Sequence, residues 1–151
     1  MELKLLNMAN EEEIKLIIKD AFYAPPWNDR WNNEDVFHKY IEDIIDNKNS
    51  LSFGIYEGNE LVGIALGRMK HWFDGIEYCI DDFCIKTSRQ GQGFGSKLIA
   101  YIKNFAFQHG FKRISLLTDK SASAYNFYKK NQLEEATERV CFYCTTVQKD
   151  Q

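Results

Sequence analysis

The sequence predicts an α+β domain built around a mixed β-sheet. Three strand-like runs follow one another between residues 51 and 86, the pattern of antiparallel neighbours. Beyond them helix and strand alternate, which calls for a crossover and a parallel strand. The composition is that of an ordinary globular chain, with 44% apolar and 27% charged residues. At 151 residues the chain can bury a core without disulfide or metal staples, and a single domain over 1–151 is expected.

Each element has its own signal. Residues 3–6 read as a first strand. From Glu11 onward, Ile14, Ile17, Ile18 and Ala21 share one helical face, with Asn10 as a cap. Pro25-Pro26-Trp27-Asn28-Asp29-Arg30-Trp31 is an aromatic loop holding both prolines. Residues 33–47 read as a second helix, with Phe37, Tyr40, Ile41, Ile44 and Ile45 inward. Residues 51–57 and 61–69 flank the hairpin signal Gly58-Asn59-Glu60, and residues 76–86 follow the Asp74-Gly75 turn. Residues 93–109 carry Phe94, Leu98, Ile99, Ile102 and Phe105 on one stripe, with Gly110 at the stop. Residues 113–118 form another apolar strand, 121–131 a short helix, and 133–147 hold strand-like material. The predicted order is β-α-α-β-β-β-α-β-α-β.

Charge is unevenly placed. Residues 1–85 hold 17 acidic and 8 basic side chains, whereas residues 86–130 hold 9 basic and one acidic, Asp119. An overall charge of −3 makes a poor nucleic-acid binder. A basic segment beside an acidic one suits two ligands of opposite charge, or one ligand with two ends. No apolar run reaches the ~18 residues of a membrane span. Met1-Glu2-Leu3-Lys4-Leu5 lacks the features of a secretion leader, so a cytoplasmic protein is expected. Cys141-x-x-Cys144 is half of a zinc spacing with no second pair to complete it. With Cys79 and Cys84 it falls in strand-like sequence, and all four are read as buried, inert thiols. No metal site is expected.

The sharpest local signal is Arg89-Gln90-Gly91-Gln92-Gly93-Phe94-Gly95-Ser96-Lys97, after a strand and opening a helix. Glycines let backbone N–H groups approach a ligand, and a helix N-terminus offers unpaired donors at its positive end. The loop is a candidate pyrophosphate cradle. A P-loop would need Gly-Lys-Ser/Thr, which is absent. A dinucleotide fold would need a third glycine where Ser96 stands, and a loop directly after its strand. The pattern Gln/Arg-x-x-Gly-x-Gly/Ala fits at Gln90-x-x-Gly93-x-Gly95. Asp81-Asp82-Phe83-Cys84-Ile85 precedes it, and Ala124-x-x-Phe127-Tyr128-x-Lys130 follows. With these motifs and this element order the chain resembles the GNAT N-acetyltransferase superfamily. Ser121 stands where the family often has Asn, and Gln132-Leu133 where it usually has Gly-Phe.

The resemblance implies a central, mostly antiparallel sheet with splayed central strands flanked by helices, and acetyl-CoA as co-substrate. It implies that backbone groups of Phe83, Cys84 and Ile85 pair with the pantetheine arm. Gln90, Gly91, Gln92, Gly93, Phe94, Gly95 and Ser96 would hold the pyrophosphate, with Ser121 a further cofactor contact. One of Lys86, Arg89, Lys97, Lys129 and Lys130 would meet the 3′-phosphate. The acidic pair resembles that of diamine and some aminoglycoside acetyltransferases, with Asp81 as proton acceptor. Asp82 or Glu77 would hold the substrate cation, and as strand neighbours Asp81 and Asp82 are expected to face opposite sides. Tyr128 would protonate the leaving thiolate, with Tyr125 as its alternate. Trp27 and Trp31 would line the acceptor site, since aromatic faces suit a cationic amine. The implied activity is transfer of an acetyl group to a primary amine of a small cationic acceptor, aminoglycoside- or polyamine-like. Peptide or protein N-terminal acetylation and a non-catalytic acyl-CoA-binding module are the alternatives. A homodimer, common in the family, is the expected protein partner, with the segment around Cys141 and Cys144 available to pair across it.

Overall fold

In the computed structural model, which describes residues 1–25 and 27–147, the chain divides into two compact units, 1–118 and 119–151. Pro26 of the aromatic loop and the last four residues lie outside the described residues.

The first unit is a five-stranded sheet with helices on both faces. Strands β1 (Glu2–Leu5), β2 (Phe53–Glu57), β3 (Glu60–Trp72), β4 (Gly75–Ile85) and β5 (Arg113–Leu116) lie in chain order across it. The first three pairings are antiparallel and β4–β5 is parallel, so the sheet is mixed as predicted. Helices α1 (Glu11–Phe22) and α2 (Glu34–Ile45) follow β1, and α3 (Phe94–Gln108) makes the crossover to β5. Asn33 caps α2 by accepting from the N–H groups of Asp35 and Val36.

Two apolar clusters show which residues face which layer. Ile14, Ile18, Phe37 and Ile41 of α1 and α2 pack with Ile64, Leu66 and Cys84 of the sheet. Leu98 and Ile102 of α3 pack on the other face with Phe53, Ile55, Tyr78, Ile80 and Ile85. Tyr78 and Ile80 therefore face α3, yet so do Phe83 and Ile85. An even-numbered set becomes an odd-numbered one because the register slips: Leu66 opposes Asp82 and Gly67 opposes Ile80, leaving Asp81 with no partner. This β-bulge reverses the sidedness of β4. It also overturns the expectation that Asp81 and Asp82 face opposite sides. Alternation from Ile80 and from Phe83 assigns both carboxylates to the α1–α2 face.

A second feature of β4 is its unequal edges. Pairing with β3 continues to Ile85, while pairing with β5 ends at Ile80–Leu116. Residues 81–85 thus have no strand on their β5 side. This is the splay implied by the resemblance.

Charged side chains tie α1 to α2. Lys15, nearly buried, lies 3.2 Å from Glu11 and 3.3 Å from Glu34, and Lys19 lies 2.9 Å from Glu34. His38 of α2 meets Glu11 and stands 3.3 Å from Glu42.

The second unit holds α4 (Ser123–Lys130). Residues 133–147 contain no strand, contrary to the sequence expectation. Alternating apolar sequence makes a strand only when a partner supplies the ladder, and none among the described residues pairs with this segment. Cys141 and Cys144 are exposed free thiols, not buried ones. Cys84 is buried and Cys79 half-buried, as expected of strand residues.

Two outcomes follow for stability. A Cβ added to Gly67, opposite the bulge, would lie 2.4 Å from the Cys79 carbonyl oxygen. Gly67→Ala should cost about 1–3 kcal/mol, read as a lower urea midpoint. The bond to Glu11 raises the pKa of His38. The stability from that contact is complete below about pH 6.5, the ordinary histidine value, and is lost as pH rises through the folded value. Thermal melts from pH 6 to 8 should show this loss in the parent protein and not in His38→Gln.

Candidate active site

The glycine loop between β4 and α3 is braced from several sides. The Asp20 carboxylate of α1 accepts from the Thr87 N–H at 2.7 Å and its hydroxyl at 2.9 Å. Gln90 donates its side-chain amide to the Ile85 carbonyl at 3.0 Å, and Gln92 donates to Ser88 at 3.1 Å. The glutamines fold back on the loop, so their side chains shape the cradle. Lys86 pairs with Glu60, and Arg89 lies 3.3 Å from Glu57. Both cations are engaged by the β2–β3 hairpin, whereas Lys97 makes no ion pair among the described residues.

Gly91 and Gly93 adopt φ of 75° and 88°, a region side chains rarely enter. A Cβ at either position would project into open space, with nothing within 4 Å. Gly93 is the N-cap of α3, which has no side-chain cap and no acidic residue in its first turn. The amide donors of that turn stay free, and the positive helix end is reinforced by Lys97 rather than cancelled. This is an electropositive cradle with room for an anion.

The open edge of β4 begins beside the bulge. Lys86 N–H donates to the Val62 carbonyl at 2.8 Å, which sets the phase of the ladder. The hydrogen-bonded pair runs through Cys84 and Ile64, so the backbone groups of Phe83 and Ile85 turn to the uncovered side. Cys84 therefore cannot offer its backbone there. Its thiol is buried, and burial holds its pKa well above the ordinary value, in the protonated form.

At the head of this edge stand the two aspartates. Asp81 is exposed and its Oδ1 lies 3.2 Å from an Arg68 nitrogen. Asp82 is half-buried and accepts a hydrogen bond from the Tyr40 hydroxyl of α2. Burial pushes the Asp82 carboxyl up, the Tyr40 bond draws it down, and the charges of Asp81 and Asp29 push it further up, leaving it raised overall. Tyr40 lies against Trp31, ring centroids 4.8 Å apart, and Trp31 stacks on Phe37 at 4.6 Å. The Trp31 indole nitrogen is shielded from solvent with no hydrogen-bond partner among the described residues. Trp27 packs edge-on against Phe22.

Glu77 does not join this group. It is buried near the start of β4, accepts from the Cys79 thiol at 3.2 Å, and lies 3.5 Å from Arg113. Burial alone would raise its pKa, but the bonds from Cys79, Ser115 and Trp72 and the Arg113 charge outweigh it and leave it lowered. Its oxygens serve the β4–β5 contact. In the second unit, Tyr125 donates to Glu135 at 2.7 Å, and Lys120 lies 3.2 Å from the same carboxylate. Tyr128 is half-buried against Phe127, and Ser121 is exposed. Tyr40 and Asp20 are the site residues that sequence reading missed. Tyr40 reads only as an inward position on an amphipathic helix.

The Acetyltransferase (GNAT) family profile matches residues 12–132. The chain belongs to this family. Solved GNAT-fold structures agree over nearly the whole length. An aminoglycoside acetyltransferase, meta-AAC0020 from an uncultured soil metagenomic sample, superposes with a TM-score of 0.76 at 20% identity, covering 97% of this chain and 96% of that one. Aminoglycoside N-acetyltransferase AAC(6')-Iy in complex with CoA gives 0.75 at 18%, covering 97% and 95%. A ribosomal-protein-alanine N-acetyltransferase from Brucella melitensis biovar Abortus 2308 gives 0.76 at 13%, covering 95% and 100%. At these identities the likeness establishes the fold. No curated protein sequence matches the chain.

GNAT membership implies use of acetyl-CoA, and the residues present fit it: an uncapped helix start, two left-handed glycines opening on free space, and a Lys97 with no ion pair among the described residues. Gly93→Val should weaken acetyl-CoA binding at least tenfold by calorimetry, because its Cβ branches enter the cradle. Gly110, also at positive φ but at the far end of α3, supplies the control. Gly110→Ala should lower stability and leave acetyl-CoA affinity unchanged.

Proposed function

We propose that this GNAT acetyltransferase moves an acetyl group from acetyl-CoA to a primary amine of a small cationic acceptor, aminoglycoside- or polyamine-like, by direct attack in a ternary complex. The observation that carries the proposal is the pair Asp81 and Asp82, assigned to one face of the sheet beside the open edge of β4. The aminoglycoside acetyltransferases among the similar structures support it.

The chemistry sets what the residues must do. An alkylammonium with a pKa of about 10 is under ~1% neutral at pH 7, and only the neutral amine attacks. Two carboxylates draw the cation to the site, and one of them takes its proton. The backbone groups of Phe83 and Ile85, on the β5 side of the strand, would add the pantetheine arm to β4 as an extra strand, placing the thioester beside the carboxylates. Nitrogen then bonds to the acetyl carbon, the carbon–sulfur bond breaks, and the leaving thiolate takes a proton. Tyr128 has the family position for that donor. Cys84, buried and protonated, is a poor candidate for an acetyl-enzyme route, so the amine attacks the thioester itself. The stacked rings of Trp31 and Tyr40 suit the aliphatic and cationic parts of such an acceptor.

The test is release of free CoA, followed with a thiol reagent, across aminoglycosides, polyamines, amino acids and short peptides. Turnover should concentrate on acceptors with two or more amines. The double variant Asp81→Asn/Asp82→Asn and the single variant Tyr128→Phe should each lower kcat about 100-fold or more while acetyl-CoA affinity holds. Normal acetyl-CoA binding with no acetylated small amine would sink the proposal. Turnover of peptides alone would move the acceptor to a peptide N-terminus.

A further inference from the structure

We infer that Tyr40 is a positioning residue for acetyl transfer: its hydroxyl holds the Asp82 carboxylate so that Asp82, rather than Asp81, receives the proton of the acceptor's ammonium. The inference rests on the acetyl-transfer reading above and assigns roles within it.

The two carboxylates differ in their partners. Asp81, in the bulge, is exposed and its charge is answered by Arg68 of β3. That contact occupies the Asp81 Oδ1 oxygen. Asp82 has no ion pair among the described residues. The Tyr40 phenol bonds to Oδ2, leaving Oδ1 for another partner. The charged groups that act on Asp82 are both negative: Asp81 on β4 and Asp29 on the loop before α2. Asp20 of α1 acts on Cys84 instead. Asp82 thus occupies a half-buried, anionic setting in which an arriving ammonium is favoured and a proton is readily accepted.

Tyr40 is built to stay still. It lies on α2 three residues beyond the fully buried Phe37, and Trp31 fills the space between their rings. α2 is in turn fastened to α1 through Glu11, His38, Lys15 and Glu34. The phenol keeps its own proton, since burial and the Asp82 charge both raise its pKa. One proton moves in the step, from the ammonium nitrogen to an Asp82 oxygen, and Tyr40 exchanges none.

The experiment pairs a kinetic pH profile with a titration independent of turnover. Tyr40→Phe keeps the ring and removes the donor. It should raise the acid limb of kcat/KM by about one to two pH units, the worth of a hydrogen bond to a charged group. The Asp82 carboxyl, followed by carbon-13 NMR in aspartate-labelled protein, should move by the same amount in the same direction. Asp81→Asn removes a like charge, so its acid limb should shift downward. Asp82→Asn should lose the limb together with turnover.

An Asp82 titration unmoved by Tyr40→Phe overturns the inference whatever the activity. So does an acid limb that survives Asp82→Asn and vanishes with Asp81→Asn. A moved titration in a protein that binds acetyl-CoA yet acetylates no amine overturns the acetyl-transfer reading, and the catalytic role of the pair with it.

Discussion

The register slip at Asp81 decides which layer every later side chain of β4 meets. Upstream of it Tyr78 and Ile80 feed the α3 core; downstream Phe83 and Ile85 do. Without the slip Asp82 would turn into that core, where a carboxylate has no partner and ionisation is costly. With it Asp82 meets Tyr40, Cys84 enters the α1–α2 cluster, and the backbone phase of Phe83 and Ile85 is set toward the uncovered side. One extra residue therefore fixes a polar pair, a buried thiol and an open backbone edge together. The absence of a side chain at Gly67 is what lets the opposing strand come close enough to carry it.

The halves of the site are held by different physics. The anion cradle depends on backbone: two glycines at positive φ, an uncapped helix start, and glutamines that bond to the loop they sit in. The region around Asp82 and Tyr40 depends on long side chains fixed by ring packing. α1 joins the two, because Asp20 holds the loop at Thr87 while Glu11 and Lys15 hold α2. Substitutions in the aromatic loop can thus alter the surroundings of Asp82 while the cradle keeps its own supports.

What could be read from the chain follows from how local each feature is. The cradle lies within nine consecutive residues whose types state their geometry, so it was legible down to Gly91 and Gly93. Five strands and four helices were legible from period and turns, because each buries one stripe or one face. The side taken by Asp82 was not, since strict alternation is the default and a bulge depends on the opposing strand. Tyr40 lies 42 residues from Asp82, and its inward position fits core packing equally well. Glu77 looked available because its neighbours Arg113 and Ser115 come from a distant strand. The apolar alternation around Cys141 and Cys144 suggested a strand that no ladder supports.

The uncovered edge of β4 also bears on how this protein avoids itself. A stretch of strand edge without a β5 partner invites the same edge of another copy to pair with it. Here the edge starts at a bulge, which spoils the straight register such pairing needs. It carries two adjacent carboxylates, which would meet two more in an antiparallel partner. The bulge and the paired carboxylates therefore also work against edge-to-edge pairing, and neutral replacements at Asp81 and Asp82 would weaken that guard.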